Sequence, residues 1–186
     1  FDSDLLSITP EWVRNFLEPV FHGYDYVAPY YNRYKLDGTI TNTIAYNLTR
    51  SLYGQRIRQP IGGDFGISPV LVKHYLDQDV WATDIAKFGI DIWMTTSAIV
   101  GGFRICQAKL GVKLHDHKDP SADLGPMFRQ VVGTTFQLMD QYHDYWVKIR
   151  GSVEVPTLGE FAGQKAVAFT INQANLIEYF KVGMSN

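Results

Sequence analysis

The sequence contains a single cysteine, Cys106, among its 186 residues. One thiol excludes an intrachain disulfide and a cysteine-rich zinc site, because both need several thiolates. Phe103, Ile105 and Ala108 lie close to it in the sequence, and this apolar context predicts a buried structural thiol rather than a nucleophile. Such sparing use of cysteine fits a reducing compartment, and we expect a cytoplasmic protein.

The sequence also lacks a basic excess and a long hydrophobic run. It has 17 lysine and arginine residues against 19 aspartate and glutamate residues, a formal net charge of −2. Nucleic-acid-binding surfaces normally carry a basic excess, so no DNA or RNA partner is expected. The most hydrophobic window, residues 90–103, is interrupted by Asp91 and by Gly101-Gly102. It is shorter than the roughly 18 to 20 residues of a transmembrane helix, so no membrane span is expected.

The rest of the composition is typical of a globular domain, with 46% hydrophobic and 19% charged residues. Apolar residues at helical spacing predict helices, and aromatic or β-branched runs predict strands. The predicted helices begin at about residues 10, 39, 68, 79, 121 and 170, and the predicted strands cover about residues 25–34 and 103–114. The helix from residue 121 is expected to extend to about residue 150. This mixture predicts an α/β fold, with α+β as the alternative.

The first residues place two carboxylates, Asp2 and Asp4, on either side of Ser3 and shortly before a helix start at Thr9-Pro10. Carboxylates two residues apart can turn toward one hard cation such as Mg²⁺ or Mn²⁺, which can in turn hold a diphosphate. Alternatively, they form only a turn and a helix cap. The tripeptide by itself leaves both interpretations open.

A second group of metal-binding residue types occupies residues 113–119. His115 and His117 share a face if the preceding strand continues, and histidine is a common ligand of borderline metals. A lone histidine is more often a surface or core residue, but the surrounding charged side chains favour a site here. Together with Asp116 or Asp119, the two histidines could instead belong to a metal hydrolase.

Two other segments are candidates for ligand contact. Residues 59–68 are the richest in glycine, which suggests close approach by a ligand, with a tight turn as the alternative. They contain neither a G-x-G-x-x-G spacing nor a phosphate-loop lysine. Asp91 stands between Ile90 and Ile92, where a buried carboxylate needs partners or a raised pKa. A helix-capping role is the alternative for Asp91.

Four motifs occur in a recognisable order, and they are Asp2-Ser3-Asp4, Gly62-Gly63-Asp64-Phe65-Gly66, Phe88-Gly89-Ile90-Asp91 and Leu110 to His115 followed by Leu124-Gly125-Pro126-Met127. In this order they resemble the retaining GT-A glycosyltransferases that make glucosyl-3-phosphoglycerate and mannosylglycerate. The resemblance covers about residues 1–140 and implies the acceptor half of a GT-A-like fold, with a mixed sheet. Residues 141–186 would then form a helical C-terminal extension. It also implies nucleotide-binding strands before Phe1, where the sequence begins without an initiator Met.

The resemblance implies roles for individual residues. Asp4 and His115 would bind the divalent metal, Mg²⁺ or Mn²⁺. Asp2 would lie nearer the sugar or ribose, and Asp91 falls where the family carries an acid near the reacting centre. Lys118, with Lys113 as second choice, would add positive charge beside the donor phosphates.

The same resemblance implies contacts with donor sugar and acceptor. The loop containing Gly62, Gly63 and Asp64 would lie under both, and Thr41 matches the acceptor loop as a hydroxyl donor to an acceptor carboxylate. The phosphoglycerate enzymes carry an arginine where this sequence has Thr39. That difference favours a smaller or uncharged acceptor.

We therefore predict an enzyme, a metal-dependent hexosyltransferase. It would move a sugar from a GDP-mannose or UDP-glucose type donor to a small hydroxyl acceptor such as glycerate or a related hydroxy acid, with retention. The alternative is a non-catalytic carbohydrate-binding or oligomerisation module that uses the tyrosines of residues 25–34. The apolar helix from residue 121 and the C-terminal tail suggest a homodimer as a further hypothesis.

Overall fold

The computed structural model describes residues 1–114, 120–161, 165, 166, 168 and 172–185, with the backbone alone for residues 120–124. The helices in these ranges are α1 (Pro10–Phe21), α2 (Tyr46–Tyr53), α3 (Pro69–Leu76), α4 (Ile90–Val100), α5 (Pro120–Gln141), α6 (His143–Trp146) and α7 (Gln173–Met184). The strands are β1 (Tyr26–Asn32), β2 (Gln55–Arg56), β3 (Gly66–Ile67), β4 (Ile105–Val112), β5 (Val153–Glu154) and β6 (Thr157–Leu158). A π-helical turn, Thr41–Ala45, leads into α2.

The main sheet has the strand order β3-β1-β4-β6. β3 runs antiparallel to β1, whereas β1, β4 and β6 are mutually parallel. β2 and β5 form a separate parallel pair. This mixed sheet confirms the predicted α/β fold class. Because β5 and β6 lie beyond residue 141, the C-terminal part contributes short strands as well as helices.

Alternate residues of β1 face two parts of the core, as the period of a strand requires. Tyr26 and Ala28 join the cluster that includes the buried helix α4. Val27 and Tyr31 join the cluster of α1 and β4, which also contains Cys106. Burial raises the pKa of the Cys106 thiol to about 12, so it is the structural thiol that the sequence predicted.

The carboxyl ends of β1 and β4 position the functional side chains. The two strands are parallel and Asn32 lies opposite Val112, so Arg33 and Lys113 follow at the same edge of the sheet. Ligands of open parallel sheets bind outside this edge. No helix within the described residues is long and apolar enough to cross a membrane.

Candidate functional site

Lys113 is the centre of the candidate site. Its Nζ donates to Asp2 Oδ2 at 2.8 Å, to the Gly62 carbonyl oxygen at 2.9 Å and to Asp64 Oδ2 at 2.9 Å. The side chain is only 4% exposed, and its three ammonium hydrogens match these three acceptors. Lys113 therefore ties the first residues of the chain and the glycine-rich loop to the end of β4.

Asp64 is completely buried, and its carboxylate accepts three hydrogen bonds. Besides Lys113, its Oδ1 accepts the backbone N–H of Asp2 at 2.8 Å, and its Oδ2 accepts the hydroxyl of Tyr31. Burial and the Asp64 charge both raise the pKa of Tyr31, so the hydroxyl keeps its proton and donates it. These bonds offset the cost of removing a carboxylate from water.

Asp91 belongs to the same site. Its Oδ2 accepts the backbone N–H of Gly63 at 2.8 Å. It does not cap its own helix, whose N-cap is Gly89, so the capping alternative is wrong. Burial, and next the charge of Asp2, raise the pKa of Asp91 to about 7, against the opposing effects of the Gly63 N–H and of Lys113. A carboxyl group that titrates near neutral pH can exchange protons with a sugar or acceptor hydroxyl.

The glycine-rich loop needs glycine for space as well as conformation. Gly63 has φ +83°, and a Cβ there would lie 2.0 Å from Asp2 Oδ2. A Cβ at Gly62 would lie 2.1 Å from Cγ of Pro29. The close approach that the glycines permit is therefore one between the loop, Asp2 and β1.

Two further predicted site residues, Asp4 and Thr41, are among the described residues. Asp4 is half-buried, two residues beyond Asp2. Thr41 is buried at the start of the π-helical turn and lines a neighbouring cavity. His115 and Lys118 lie outside the described residues, so their roles stay predictions. Within the ranges that are described, no group of three His, Cys, Asp or Glu residues could hold a metal ion.

Known structures share this fold, although no protein-family model matches the sequence and no curated protein is significantly similar to it. Glucosyl-3-phosphoglycerate synthase from Mycobacterium tuberculosis, in complex with Mn²⁺, UDP and phosphoglyceric acid, aligns with a TM-score of 0.56 at 25% identity, over 74% of this chain and 46% of that one. The same synthase with Mn²⁺, UDP-glucose and phosphoglyceric acid gives a TM-score of 0.58 at 26% identity, over 75% and 48%. A mycobacterial protein gives 0.57 at 27% identity, over 74% and 45%.

This chain has the GT-A glycosyltransferase fold. The predicted resemblance to glucosyl-3-phosphoglycerate synthase is thereby confirmed as a structural likeness. The chain spans slightly less than half the length of these synthases.

Within this GT-A fold, the predicted residues Asp2, Gly62, Gly63, Asp64 and Asp91 come together, whereas Thr41 belongs to the adjoining cavity. The sequence indicated Lys113 only as second choice after Lys118, and it did not indicate Tyr31 as a site residue. The available signal was a lysine at the end of an apolar strand, since a buried ammonium requires carboxylate partners. Tyr31 gave no signal that distinguished it from the other tyrosines of β1.

Proposed function

We propose that the chain carries the reaction centre of a metal-dependent glycosyltransferase. It moves a sugar from a nucleotide-diphosphate sugar of the GDP-mannose or UDP-glucose type to a small hydroxyl acceptor, such as glycerate or a related hydroxy acid, with retention. The observation that carries this proposal is the pairing of Asp2 and Asp64 with Lys113, with Asp91 joined to the same loop through Gly63, in a chain with a GT-A fold. Structural neighbours of the chain are complexes of a synthase with UDP, UDP-glucose and Mn²⁺ or Mg²⁺.

The charges of this network explain why a divalent cation is needed. Two carboxylates, Asp2 and Asp64, share one ammonium group, and the hydrogens of that ammonium are already engaged. Asp91 adds negative charge to the site when it is ionised. A nucleotide diphosphate at this place would therefore be repelled unless a cation offset the negative charge. Asp4 and His115 would hold Mg²⁺ or Mn²⁺; carboxylate oxygen suits both ions, whereas imidazole nitrogen is a softer ligand that suits Mn²⁺ better than Mg²⁺. The metal would supply Lewis-acid assistance to the departing diphosphate, and Lys118 would add positive charge beside it.

Residues in the described part of the chain would bind and orient the sugar and the acceptor. Asp2 keeps 43% of its side chain exposed and can accept hydrogen bonds from sugar hydroxyls while Lys113 fixes its position. Asp91 is half-protonated near neutral pH and can orient the acceptor hydroxyl or take its proton. Thr41 can donate its hydroxyl to an acceptor carboxylate from the adjoining cavity.

Calorimetric titration of UDP and GDP, each with and without Mn²⁺, tests the proposal. We expect Mn²⁺-dependent binding of one nucleotide, abolished in His115→Ala and retained in His143→Ala, a histidine that is 61% exposed on α6. Incubation of the matching nucleotide sugar with glycerate, followed by NMR of the product, reads out transfer and anomeric configuration. Failure of both nucleotides to bind in the presence of Mn²⁺ would contradict the proposal.

The alternative of a carbohydrate-binding module depends on exposed tyrosines between residues 25 and 34. Tyr26 and Tyr31 are buried, which removes two of the four from any sugar-binding surface. Tyr30 and Tyr34 line a cavity together with cationic side chains. The four tyrosines of residues 25–34 therefore offer no flat aromatic platform to a sugar. The metal-hydrolase alternative rests on residues 115–119, which lie outside the described part.

The proposal includes a cytoplasmic homodimer. The exposed apolar residues of α7 support the dimer, because apolar surface of this kind is commonly covered by a partner. The sparing use of cysteine supports the location. Light scattering coupled to size-exclusion chromatography measures the oligomeric state directly.

A further inference from the structure

A cavity of about 520 Å³ opens beside the candidate site, a size suited to a small metabolite. Its wall includes three cationic side chains, Arg33, Lys35 and Arg58. None of the described residues that line it is acidic, although the chain as a whole has a net charge of −2. Positive charge is therefore concentrated in this cavity.

Arg58 is held in place at both ends. Its backbone N–H donates to Gln107 Oε1 at 2.6 Å, and its Nη2 donates to Asn42 Oδ1 at 2.8 Å. Its guanidinium carbon lies 4.9 Å from the centre of the Tyr46 ring. Nη1 is buried and has no hydrogen-bond partner within the described part of the chain. A fixed guanidinium with an unused donor is pre-organised for an oxyanion, which would relieve the cost of the unpaired group.

Arg33 also has a hydrogen-bond donor without a partner among the described residues. Its Nε is buried and lacks a hydrogen-bond partner among the residues described. Its Nη1 lies 3.8 Å from Asp37 Oδ2, too far for a good hydrogen bond. The Asp37 carboxylate is also engaged through Oδ1 by the backbone N–H of Gly38 at 2.8 Å. Asp37 therefore compensates the charge of Arg33 only in part.

Tyr31 connects this cavity with the candidate site. It lines the cavity, and its ring centre lies 5.1 Å from the guanidinium carbon of Arg33 and 5.2 Å from Nζ of Lys113. Its hydroxyl donates to Asp64. An anion bound by the arginines would thus be separated from the Lys113 network by a single aromatic ring.

We propose that this cavity binds an oxyanion, the charged group of the acceptor, through Arg33 and Arg58. The identity of the occupant as the acceptor rests on the proposed transferase function. Two guanidinium groups and the Lys35 ammonium match a phosphate dianion better than a neutral group. This proposal differs from the expectation of a smaller or uncharged acceptor at Thr39, because the cations would come from the end of β1 and from residue 58 instead.

Calorimetric titration with 3-phosphoglycerate and with glycerate tests this inference. We expect 3-phosphoglycerate to bind more tightly, and Arg58→Gln and Arg33→Gln each to weaken it about 10- to 100-fold, as loss of a charge-assisted hydrogen bond does. The affinity of Arg58→Lys for 3-phosphoglycerate should lie between those of wild type and Arg58→Gln. Lysine keeps the positive charge but lacks the planar guanidinium that can donate two parallel hydrogen bonds. The matched control is Arg56→Gln, because Arg56 pairs with the exposed Glu154 at 2.5 Å outside the cavity. It should change the affinity less than about twofold, as expected for an exposed pair away from the ligand.

Equal affinity for the two probes, no binding of either, or unchanged binding by Arg58→Gln in a variant of native circular dichroism would overturn the inference. The Mn²⁺-dependent titration of UDP and GDP separates this result from the proposed function. Retained nucleotide binding together with failed 3-phosphoglycerate binding removes only the cavity assignment. Arg58-dependent binding of 3-phosphoglycerate without any nucleotide binding would keep the oxyanion site and remove the transferase.

Discussion

The pair of Lys113 and Asp64 is the residue-scale feature on which the site depends. Both groups lie inside the protein, with 4% and 0% of their side chains exposed, and their atoms are 2.9 Å apart. A buried charge is tolerated when it has an oppositely charged partner and its hydrogen bonds are all made. Removal of one partner leaves the other charge buried without compensation. The pair also fixes Asp2, which contacts Lys113 through its carboxylate and Asp64 through its backbone N–H.

Asp64→Ala should lower the free energy of unfolding by about 3–5 kcal/mol, the usual cost of breaking a buried ion pair. Asp77→Ala is the matched control, because Asp77 is 59% exposed and pairs with Lys73 on the surface. The control should change the free energy by less than about 1 kcal/mol. Urea unfolding measures both variants, and similar losses in the two would contradict the role assigned to Asp64.

The raised pKa of Asp91 predicts a pH dependence of stability. Its folded-state pKa of about 7 lies above the ordinary value of 3.8, so between these values the folded protein holds a proton that the unfolded chain releases. The free energy of unfolding therefore falls as the pH rises through this window. Asp91→Asn removes this dependence, and its stability relative to wild type should rise by about 2–3 kcal/mol between about pH 5 and about pH 8.

Urea unfolding in EDTA at several pH values measures this difference. Asp84→Asn is the control, because Asp84 is 54% exposed and pairs with Lys87 on the surface. A pH-independent difference between Asp91→Asn and wild type would show that Asp91 keeps its ordinary pKa.

At the scale of elements, the glycine-rich loop brings three separate parts of the chain together. Gly62 accepts a hydrogen bond from Lys113 at the end of β4, and Gly63 donates one to Asp91 on α4. Gly63 is also in contact with Asp2, at the beginning of the chain. A change in this loop therefore affects all three of these contacts.

Gly63→Ala should displace Asp2 and weaken Mn²⁺-dependent nucleotide binding. Gly102→Ala offers a control with the same backbone strain, since Gly102 has φ +72° and open space around its Cβ position. The control should cost about 1–2 kcal/mol from the left-handed conformation alone. Gly63→Ala should cost about 1–3 kcal/mol more, because the added methyl group overpacks the site. Equal stability and equal nucleotide affinity of the two variants would contradict this assignment.

Local signals predicted several elements well. Ser68-Pro69 predicted a helix start, and Ser68 Oγ indeed accepts the Leu71 N–H at the beginning of α3. The helix predicted from residue 121 was expected to run to about residue 150, but α5 ends at Gln141. A side-chain bond from Trp146 Nε1 to the Met139 carbonyl oxygen packs the following turn, α6, back against that end.

Contacts between distant segments were harder to predict. Lys113 and Tyr31 meet Asp64 only because β1 and β4 pair in parallel, and no local pattern specifies this pairing. Arg58 likewise gains its fixed position from Gln107, a residue of β4. The motifs therefore indicated the carboxylates of the site, while the cations that complete it required the tertiary structure.

On the scale of the whole molecule, α7 stands apart from the core. It contacts α5 but contains no buried residue. Its exposed apolar side chains include Ile177, Tyr179, Phe180, Val182 and Met184. The stability of the domain should therefore depend little on α7, whereas the proposed dimer should depend on it strongly.

Removal of residues 173–186 should leave cooperative unfolding intact and shift the thermal midpoint by less than about 4 °C, which corresponds to about 1 kcal/mol for a chain of this size. Light scattering should show the truncated protein shifted from dimer to monomer. Phe180→Ser should act in the same direction, whereas Phe21→Ser, at a residue that is 83% exposed on α1, should leave the dimer intact. A truncated protein that no longer unfolds cooperatively would show that α7 belongs to the core, and an unchanged mass would place any dimer contact elsewhere on the surface.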